Sequence, residues 1–198
     1  SPQTELSQPG QFAARETVEI VGPKRSIPGV RVLGPARPAT QAELSFTDGV
    51  VLGINLPVRL SGDTQGTPGA HLIGPRGAVK LTEGLIVAAR HVHCSPDDAK
   101  RLGLADRQKV YVRVPGVRGV WFDGVIVRVD PNFRTELHVD TDEGNAAGIR
   151  AGGMVDVVAS LCRDACRLEG CPISPGVEDG TSQPFCGYTQ RSASFFRG

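Results

Sequence analysis

Residues 85–98 read LIVAARHVHCSPDD, an apolar run that leads through two histidines into a helix start. The aliphatic residues Leu85–Ala89 predict a buried strand. Ser95, followed by Pro96 and two aspartates, is a strong helix N-cap with proline at the first helical position. The local unit is therefore a strand that passes through a capping residue into a short helix.

The same unit occurs 50 residues earlier in the chain. Gln41–Asp48 aligns with His91–Asp98 without a gap, and each copy is followed by Leu-Gly and an aliphatic residue. The alignment places Glu43 opposite His93, and both side chains are good metal ligands. Two related halves that face each other would bring these ligands to one cleft.

The composition favours many short strands. The chain of 198 residues has 25 glycines and 15 prolines but only 5% aromatic residues, which is typical of strands joined by tight turns. Helices are predicted at Thr47–Leu52, Asp97–Leu102 and Glu143–Ala147, the last capped by Asp142 and ended by Gly148. Besides Leu85–Ala89, strands are predicted at Thr17–Val21, Val30–Leu33, Gln41–Leu44, Val58–Leu60, His71–Ile73, Val110–Val114, Val125–Val129, Glu136–Val139 and Val155–Val158. We expect a mainly β fold, with half-buried strands as in a small barrel.

Four segments are predicted. Residues 1–15 are polar and form an extended N-terminal segment, residues 16–88 and 89–158 form two β units, and residues 159–198 form a tail. The tail contains Cys162, Cys166, Cys171 and Cys186, whose spacing lacks the paired Cys-x2-Cys knuckles of structural zinc sites. We expect this tail to be weakly structured, with a further metal site as the alternative.

Charge and hydropathy exclude several classes of partner. Lys and Arg number 22 against 21 Asp and Glu, and no long basic run is present, which argues against nucleic acid or an anionic membrane. No stretch of 18 apolar residues occurs, so no membrane span is predicted. Cys94 is the single cysteine before the tail, which indicates a reducing, intracellular environment.

The histidines give the sharpest chemical signal. His91 and His93 are two residues apart in a strand, so their side chains project from one face and form half of a zinc site. His138 lies in the end of a second strand and precedes Asp140, Asp142 and Glu143, which suits a ligand with carboxylate neighbours. For Asp142 and Glu143, helix capping is favoured over metal binding. The alternative interpretation of His91 and His93 is that they are two surface histidines. The lone His71 is interpreted as structural.

Two other side chains bear on the chemistry. Arg37 follows Gly34 and Pro35, and a guanidinium beside rigid turn residues is suited to binding phosphate. Gly74-Pro75-Arg76 looks similar but resembles an ordinary hairpin turn, and the polar turn Arg59–Asp63 is not specific by itself. Cys94 is discounted as a nucleophile because neighbouring residues in a strand point to opposite faces.

Six motifs taken in order resemble the PduL-type phosphate acyltransferases, from about Leu6 to Val158. They are Ser7–Ala14, Val32–Arg37, Thr40–Glu43, Pro57–Asp63, Ala88–His93 and Leu137–Glu143. The resemblance implies two small β-barrels with short capping helices and two zinc ions in the cleft between them. It assigns His91, His93 and His138 to one zinc, Glu43 to the other, and Arg37 to phosphate.

The implied reaction exchanges a short acyl group, such as propanoyl, between coenzyme A and phosphate. The family also carries an upstream Arg-His-x-His-Leu motif that supplies two ligands of the second zinc and a strand of the first barrel. This sequence begins after that motif, so the resemblance implies an N-terminally incomplete chain with one complete zinc site. Residues beyond Val158 match nothing in the family.

The resemblance also implies a setting. Such enzymes belong to the bacterial cytoplasm and to bacterial microcompartments that degrade propanediol or related substrates, where shell proteins and other enzymes are the expected partners. A homodimer is left open. Two alternatives to an active acyltransferase also stay open: an impaired fragment or paralogue that keeps one zinc site, and a zinc metallohydrolase. A non-enzymatic scaffold would require the histidines to be surface residues.

Overall fold

The computed structural model describes residues 2–6, 8–149, 152–159 and 191–197. The fold is mainly β, as predicted, with three helices of seven residues: α1 (Phe46–Leu52), α2 (Pro96–Leu102) and α3 (Thr141–Ala147). The strands are β1 (Pro2–Glu5), β2 (Phe12–Val21), β3 (Ser26–Gly34), β4 (Ala42–Glu43), β5 (Val58–Arg59), β6 (His71–Gly74), β7 (Gly77–Lys80), β8 (Leu85–Ala88), β9 (His91–Cys94), β10 (Lys109–Val114), β11 (Val120–Val129), β12 (Glu136–Val139), β13 (Met154–Val158) and β14 (Arg191–Arg197).

The first half of the chain contains two open sheets. Strands β1, β2, β6 and β7 lie in order in a five-stranded sheet, with β3 paired to β2. A second sheet has the order β4-β8-β5 and is parallel throughout. Fully buried Ile20, Leu52 and Leu85 belong to the core that the two sheets share with α1.

The second half contains a closed barrel of six strands in the order β10-β11-β9-β12-β14-β13. Its core is aliphatic and includes fully buried Val92, Val112, Val127 and Leu137. Strand β9 is parallel to β11 on one side and antiparallel to β12 on the other. Among the described strands a closed barrel is therefore present only in this half, because β4 and β5 pair over two residues each and do not join the larger sheet.

The strand predicted at Leu85–Ala89 is β8, and the first two histidines lie on a separate strand, β9. β8 ends at Ala88, and the amide of Ala89 still donates to the carbonyl of Arg59 in β5. The carbonyl of the next residue, Arg90, instead accepts from Ile126 in the barrel. The chain therefore passes from one sheet to the other between these two residues.

Both ends of the chain contribute strands. The predicted N-terminal segment, residues 1–15, supplies β1, which pairs with β2, and the first residues of β2 itself. In the predicted tail, Arg191–Arg197 forms β14, which lies between β12 and β13. The four tail cysteines, Cys162, Cys166, Cys171 and Cys186, lie outside the described residues.

All three helices are built on one plan. Each begins after a residue whose side chain accepts a hydrogen bond from the third helical amide, and each ends eight residues later at a glycine with positive φ. The N-caps are Ser45, Ser95 and Asp140, and the C-caps are Gly53, Gly103 and Gly148. The third helix therefore begins at Thr141 with Asp140 as its N-cap, and the prediction that Asp142 is its cap is wrong.

The shared plan also places three polar residues at the same distance from a helix start. Glu43, His93 and His138 each lie two residues before an N-cap. The alignment of the two related segments found the first two positions. The alignment did not find His138, because the spacing from His93 to His138 differs from the spacing between Glu43 and His93. In addition, the N-cap after His138 is an aspartate. None of the described helices is long and apolar enough to cross a membrane.

The capping bond of α2 should contribute measurably to stability. The Ser95 hydroxyl accepts from the amide of Asp98 at 3.1 Å. We expect Ser95→Ala to lower the free energy of unfolding by about 1 kcal/mol, while Ser95→Asn, which keeps a capping oxygen, stays near the wild type. Urea denaturation would measure the difference. Equal stability of the two variants would contradict this role.

Candidate active site

Three histidines lie close together on the neighbouring barrel strands β9 and β12. His91 and His93 lie on β9, and His138 on β12 is paired directly opposite His91. The ring centroids are 4.7 Å apart for His91 and His93, 4.9 Å for His91 and His138, and 4.4 Å for His93 and His138. One ring nitrogen from each residue lies within 4.8 Å of the other two.

Strand alternation produces this arrangement. Residues between the histidines, Val92 on β9 and Leu137 on β12, are fully buried in the barrel core. The histidines therefore project from the opposite face of the same two strands. The interpretation of His91 and His93 as a one-faced pair is confirmed. Cys94 alternates into the core as well, and burial raises the pKa of its thiol to about 11, so it is not poised as a nucleophile.

The donor atoms of these residues fit a metal ion. His91 places Nδ1 at 2.8 Å from the carbonyl of Ala89, which leaves Nε2 as the nitrogen available to a metal. Both ring nitrogens of His93 are buried and have no hydrogen-bond partner in the part of the chain that the structure describes. A buried polar atom left unpaired costs about 1–3 kcal/mol, and a metal ion at this point would remove that cost for the liganding nitrogen.

The protonation state also suits metal binding. Burial above all, together with neighbouring positive charge, lowers the pKa of His93 to about 2 and that of His138 to about 3. The pKa of His91 is lowered too, chiefly by burial. All three imidazoles are therefore neutral near pH 7, which is the form that coordinates a metal.

Arg128 is a site residue that the sequence analysis missed. It lies on β11 directly beside His93 and points away from the core formed by Val127. Its guanidinium is 5.8 Å from the ring centre of Phe133, which stacks on His93 at 3.8 Å between ring centres. Burial lowers the pKa of Arg128, as do the charges of Arg107 and Arg37, while Glu43 opposes them. A lone arginine in the aliphatic strand Val125–Val129 was the available signal.

A second group of polar side chains surrounds Arg37. The guanidinium donates to the Ser61 hydroxyl at 3.2 Å, and Gln41 Nε2 donates to the same oxygen at 2.9 Å. Gln41 also donates to Glu43 at 2.6 Å and accepts from the amide of Gly62 at 2.8 Å. The turn after β5, which its sequence alone did not distinguish, therefore belongs to this group.

The two groups are within electrostatic reach of each other. The pKa of both His91 and Arg128 is lowered overall, and the negative charge of Glu43 opposes this lowering. The positive charge of Arg37 contributes to the lowering for Arg128. The exposed Glu43 carboxylate is not part of the three-histidine cluster. The predicted residues thus lie in two groups, and Arg128, beside His93 in the first group, interacts electrostatically with Glu43 and Arg37 of the second.

The acidic residues after His138 serve the fold. Asp140 and Glu143 form a capping box at the start of α3, and Glu143 also makes a 2.8 Å ion pair with Arg90. Asp142 accepts from the amide of Thr47 at 2.9 Å and so joins α3 to the start of α1 in the first half. The capping interpretation of Glu143 is confirmed. The carboxylate that approaches His138 is Glu136, two residues earlier in β12.

Comparison with known proteins shows the family of the chain. A family model described as phosphate propanoyltransferase matches residues 1–150. The chain belongs to the phosphate propanoyltransferase family. The resemblance to phosphate acyltransferases is therefore confirmed, and the family is one of acyltransferases.

Individual members of the phosphate propanoyltransferase family are close in sequence. The enzyme of that name from Thermotoga maritima is 52% identical over 159 residues, which is 80% of this chain and 76% of the relative. The protein from Listeria monocytogenes is 49% identical, over 75% of this chain and 70% of the relative. The protein from Escherichia fergusonii is 51% identical, over 72% and 69% respectively.

The buried histidines predict a pH-dependent stability for the metal-free protein. Their pKa is 6.5 in the unfolded chain and about 2 and about 3 for folded His93 and His138. Below pH 6.5 the unfolded chain binds protons that the folded protein cannot, so stability is greatest above pH 6.5 and declines as the pH falls. Urea denaturation of the metal-free protein between about pH 7.5 and about pH 5.5, above the range in which carboxylates titrate, would measure this.

The exposed His71 provides the control for this experiment. His71→Gln should keep the wild-type dependence on pH, while His138→Gln should reduce it, since His91 and His93 still contribute. A free energy of unfolding that does not change over this range would contradict the assignment of neutral, buried imidazoles.

Proposed function

We propose that the chain transfers a short acyl group, such as propanoyl, between coenzyme A and inorganic phosphate, with zinc held by His91, His93 and His138. The observation that carries the proposal is His93, whose two ring nitrogens are buried without a hydrogen-bond partner among the described residues. Membership of the phosphate propanoyltransferase family supports the reaction. The neutral three-histidine cluster beside an arginine supports the metal.

Three imidazoles with a fourth position open for water or substrate form a common arrangement of catalytic zinc. Bound there, zinc would supply Lewis acidity toward an acyl carbonyl and would favour the thiolate form of coenzyme A. The residues of the chain keep the cluster ordered: the Ala89 carbonyl fixes the His91 ring, and Phe133 stacks on His93. This support limits the motion of the ligands before a metal arrives.

In the proposed reaction the thiolate of coenzyme A attacks the carbonyl carbon of an acyl phosphate. A carbon–sulfur bond forms, the bond from carbon to the phosphate oxygen breaks, and phosphate leaves with the electron pair. The reverse direction forms acyl phosphate and releases the thiol. Both reactants are anionic, so positive side chains are needed to bring them together.

Arg37 and Arg128 supply that positive charge. The guanidinium of Arg37 is exposed and anchored on Ser61, which suits a side chain that binds phosphate from solution. Arg128 is half-buried beside His93, where a fixed positive charge would stabilise the oxyanion that develops at the carbonyl. Gln41 would orient Glu43, which we propose as a ligand of a second zinc, as the resemblance implies.

Other parts of the prediction also stand as proposals. We propose a two-barrel fold divided near residue 88, because separate aliphatic cores lie on either side of that position. We also propose the bacterial cytoplasm, inside a microcompartment for propanediol or a related substrate, with homodimerisation open. A metallohydrolase is disfavoured because Asp98, near the His-x-His pair, is engaged by Thr135 at 2.6 Å and Arg101 at 2.8 Å.

The metal proposal predicts the zinc content of the purified protein. The wild type should contain close to one tightly held zinc per chain at the histidines, and His138→Ala should lose most of it because a ligand is removed. His71→Ala, which removes an exposed histidine elsewhere, should retain the wild-type content. Elemental analysis would measure all three proteins, and full occupancy in His138→Ala would exclude this site.

The anion proposal predicts a specific kinetic change. Arg37→Ala should raise the KM for phosphate by roughly tenfold, since a hydrogen bond to a charged group contributes about 1.5–3 kcal/mol and this side chain is exposed. The KM for acyl-CoA should change little. Arg76→Ala, in the similar Gly74-Pro75-Arg76 turn, is the matched control and should leave both constants unaltered. An unchanged KM for phosphate in Arg37→Ala would remove that residue from the site.

A further inference from the structure

Gln8 is a buried amide that reaches from the N-terminal part of the chain to the barrel. It lies in the loop between β1 and β2 and is 2% exposed. Its Nε2 donates to the carboxylate of Glu136 at 2.6 Å and to the carbonyl of Arg134 at 3.2 Å. Its Oε1 accepts from the amide of Arg134 at 3.2 Å. One side chain thus makes three hydrogen bonds at the start of β12.

Glu136 links this amide to the histidine cluster. It is 8% exposed and lies on β12 two residues before His138, so both side chains project from one face of the strand. It is also paired directly opposite His93. Its Oε2, the atom that Gln8 holds, is 3.7 Å from His138 Nε2. That distance is too long for a hydrogen bond but close for opposite partial charges.

The position of the carboxylate distinguishes support from direct ligation. The three nitrogens that approach within 4.8 Å of one another come from the histidines, and Glu136 is not in that group. A carboxylate at one nitrogen of a liganding imidazole, here Nε2 of His138, orients the ring and increases the basicity of the other nitrogen, so Nδ1 would be the metal ligand. The short hydrogen bond from Gln8 restrains the carboxylate, because a buried carboxylate is stable only when its oxygens accept hydrogen bonds.

We propose that Gln8 and Glu136 are positioning residues, which orient His138 for metal binding through the contact between Glu136 and its ring. The inference rests on the proposed metal site and extends it to a residue of the first half of the chain. Gln8 belongs to the Ser-Gln-Pro-Gly segment, and it is separated from Glu136 by 128 positions in sequence. Assembly of a complete metal site therefore requires the N-terminal loop to be docked on the barrel.

The test compares Gln8→Ala and Glu136→Gln with the wild type, each as the full chain. Zinc affinity is measured by competition with a chromogenic chelator, and the visible absorption of the cobalt-substituted proteins reports the set of ligands. We expect zinc to bind roughly 10–100-fold more weakly in both variants, the usual effect of losing a group that supports a ligand. The cobalt bands should keep their wild-type positions because the three nitrogens remain.

Gln108→Ala is the matched control. Gln108 also makes two side-chain hydrogen bonds to the backbone, at Ala105 and Ala159, so the variant removes a comparable amide without touching Glu136. It should bind zinc as the wild type does. Thermal denaturation of the metal-free proteins shows whether Gln8→Ala and Glu136→Gln remain folded, so that weaker binding is not confused with unfolding.

The possible failures are distinguishable. If the wild type and Gln108→Ala bind no zinc, the metal proposal itself is overturned. If both bind zinc and the Gln8 and Glu136 variants bind it within twofold of the wild type, only the positioning role is overturned. A shift of the cobalt bands in Glu136→Gln would also overturn the positioning role, since Glu136 would then be a direct ligand.

Discussion

The antiparallel pairing of β9 with β12 is the constraint on which the candidate site depends. Its register places His138 opposite His91 and Glu136 opposite His93, so four polar side chains share one face. On the other face the same register places Val92 and Leu137 in the core. A shift of one residue would exchange the two faces, burying imidazoles among aliphatic side chains. Core packing therefore fixes the register, and the register fixes the chemistry.

The capped helices extend this order to both halves of the chain. Each follows a strand directly and ends at a left-handed glycine, so the chain turns away soon after presenting its polar residue. The hydrogen bond from Thr47 to Asp142 then joins the beginnings of α1 and α3. Glu43 and Arg37, which belong to the first half of the chain, interact electrostatically with Arg128 in the second half. Short local motifs, repeated, thus bring distant segments to one place.

Local rules were sufficient for part of this arrangement. Alternation along a strand identified His91 and His93, and capping patterns identified all three helices with small errors at their starts. Long-range pairing was not accessible: β11 lies beside β9 through contacts that no local pattern encodes, so Arg128 escaped notice. The change of sheet between β8 and β9 also depends on partner strands, since β8 pairs with β4 and β5 whereas β9 pairs with β11 and β12. Gln8 gave no local signal, since its burial comes from a segment more than a hundred residues away.

The fixed distance from each polar residue to its N-cap bears on how such a chain can change in length. One inserted residue between His93 and Ser95, or between His138 and Asp140, would rotate the imidazole to the opposite face of the strand or displace the cap. The turn between β6 and β7 joins two strands that have no described side chain in the site, and extra residues there would lengthen only a hairpin. Lineages of this fold should therefore vary in length at the hairpins, while the strand-to-helix junctions keep a constant count of residues.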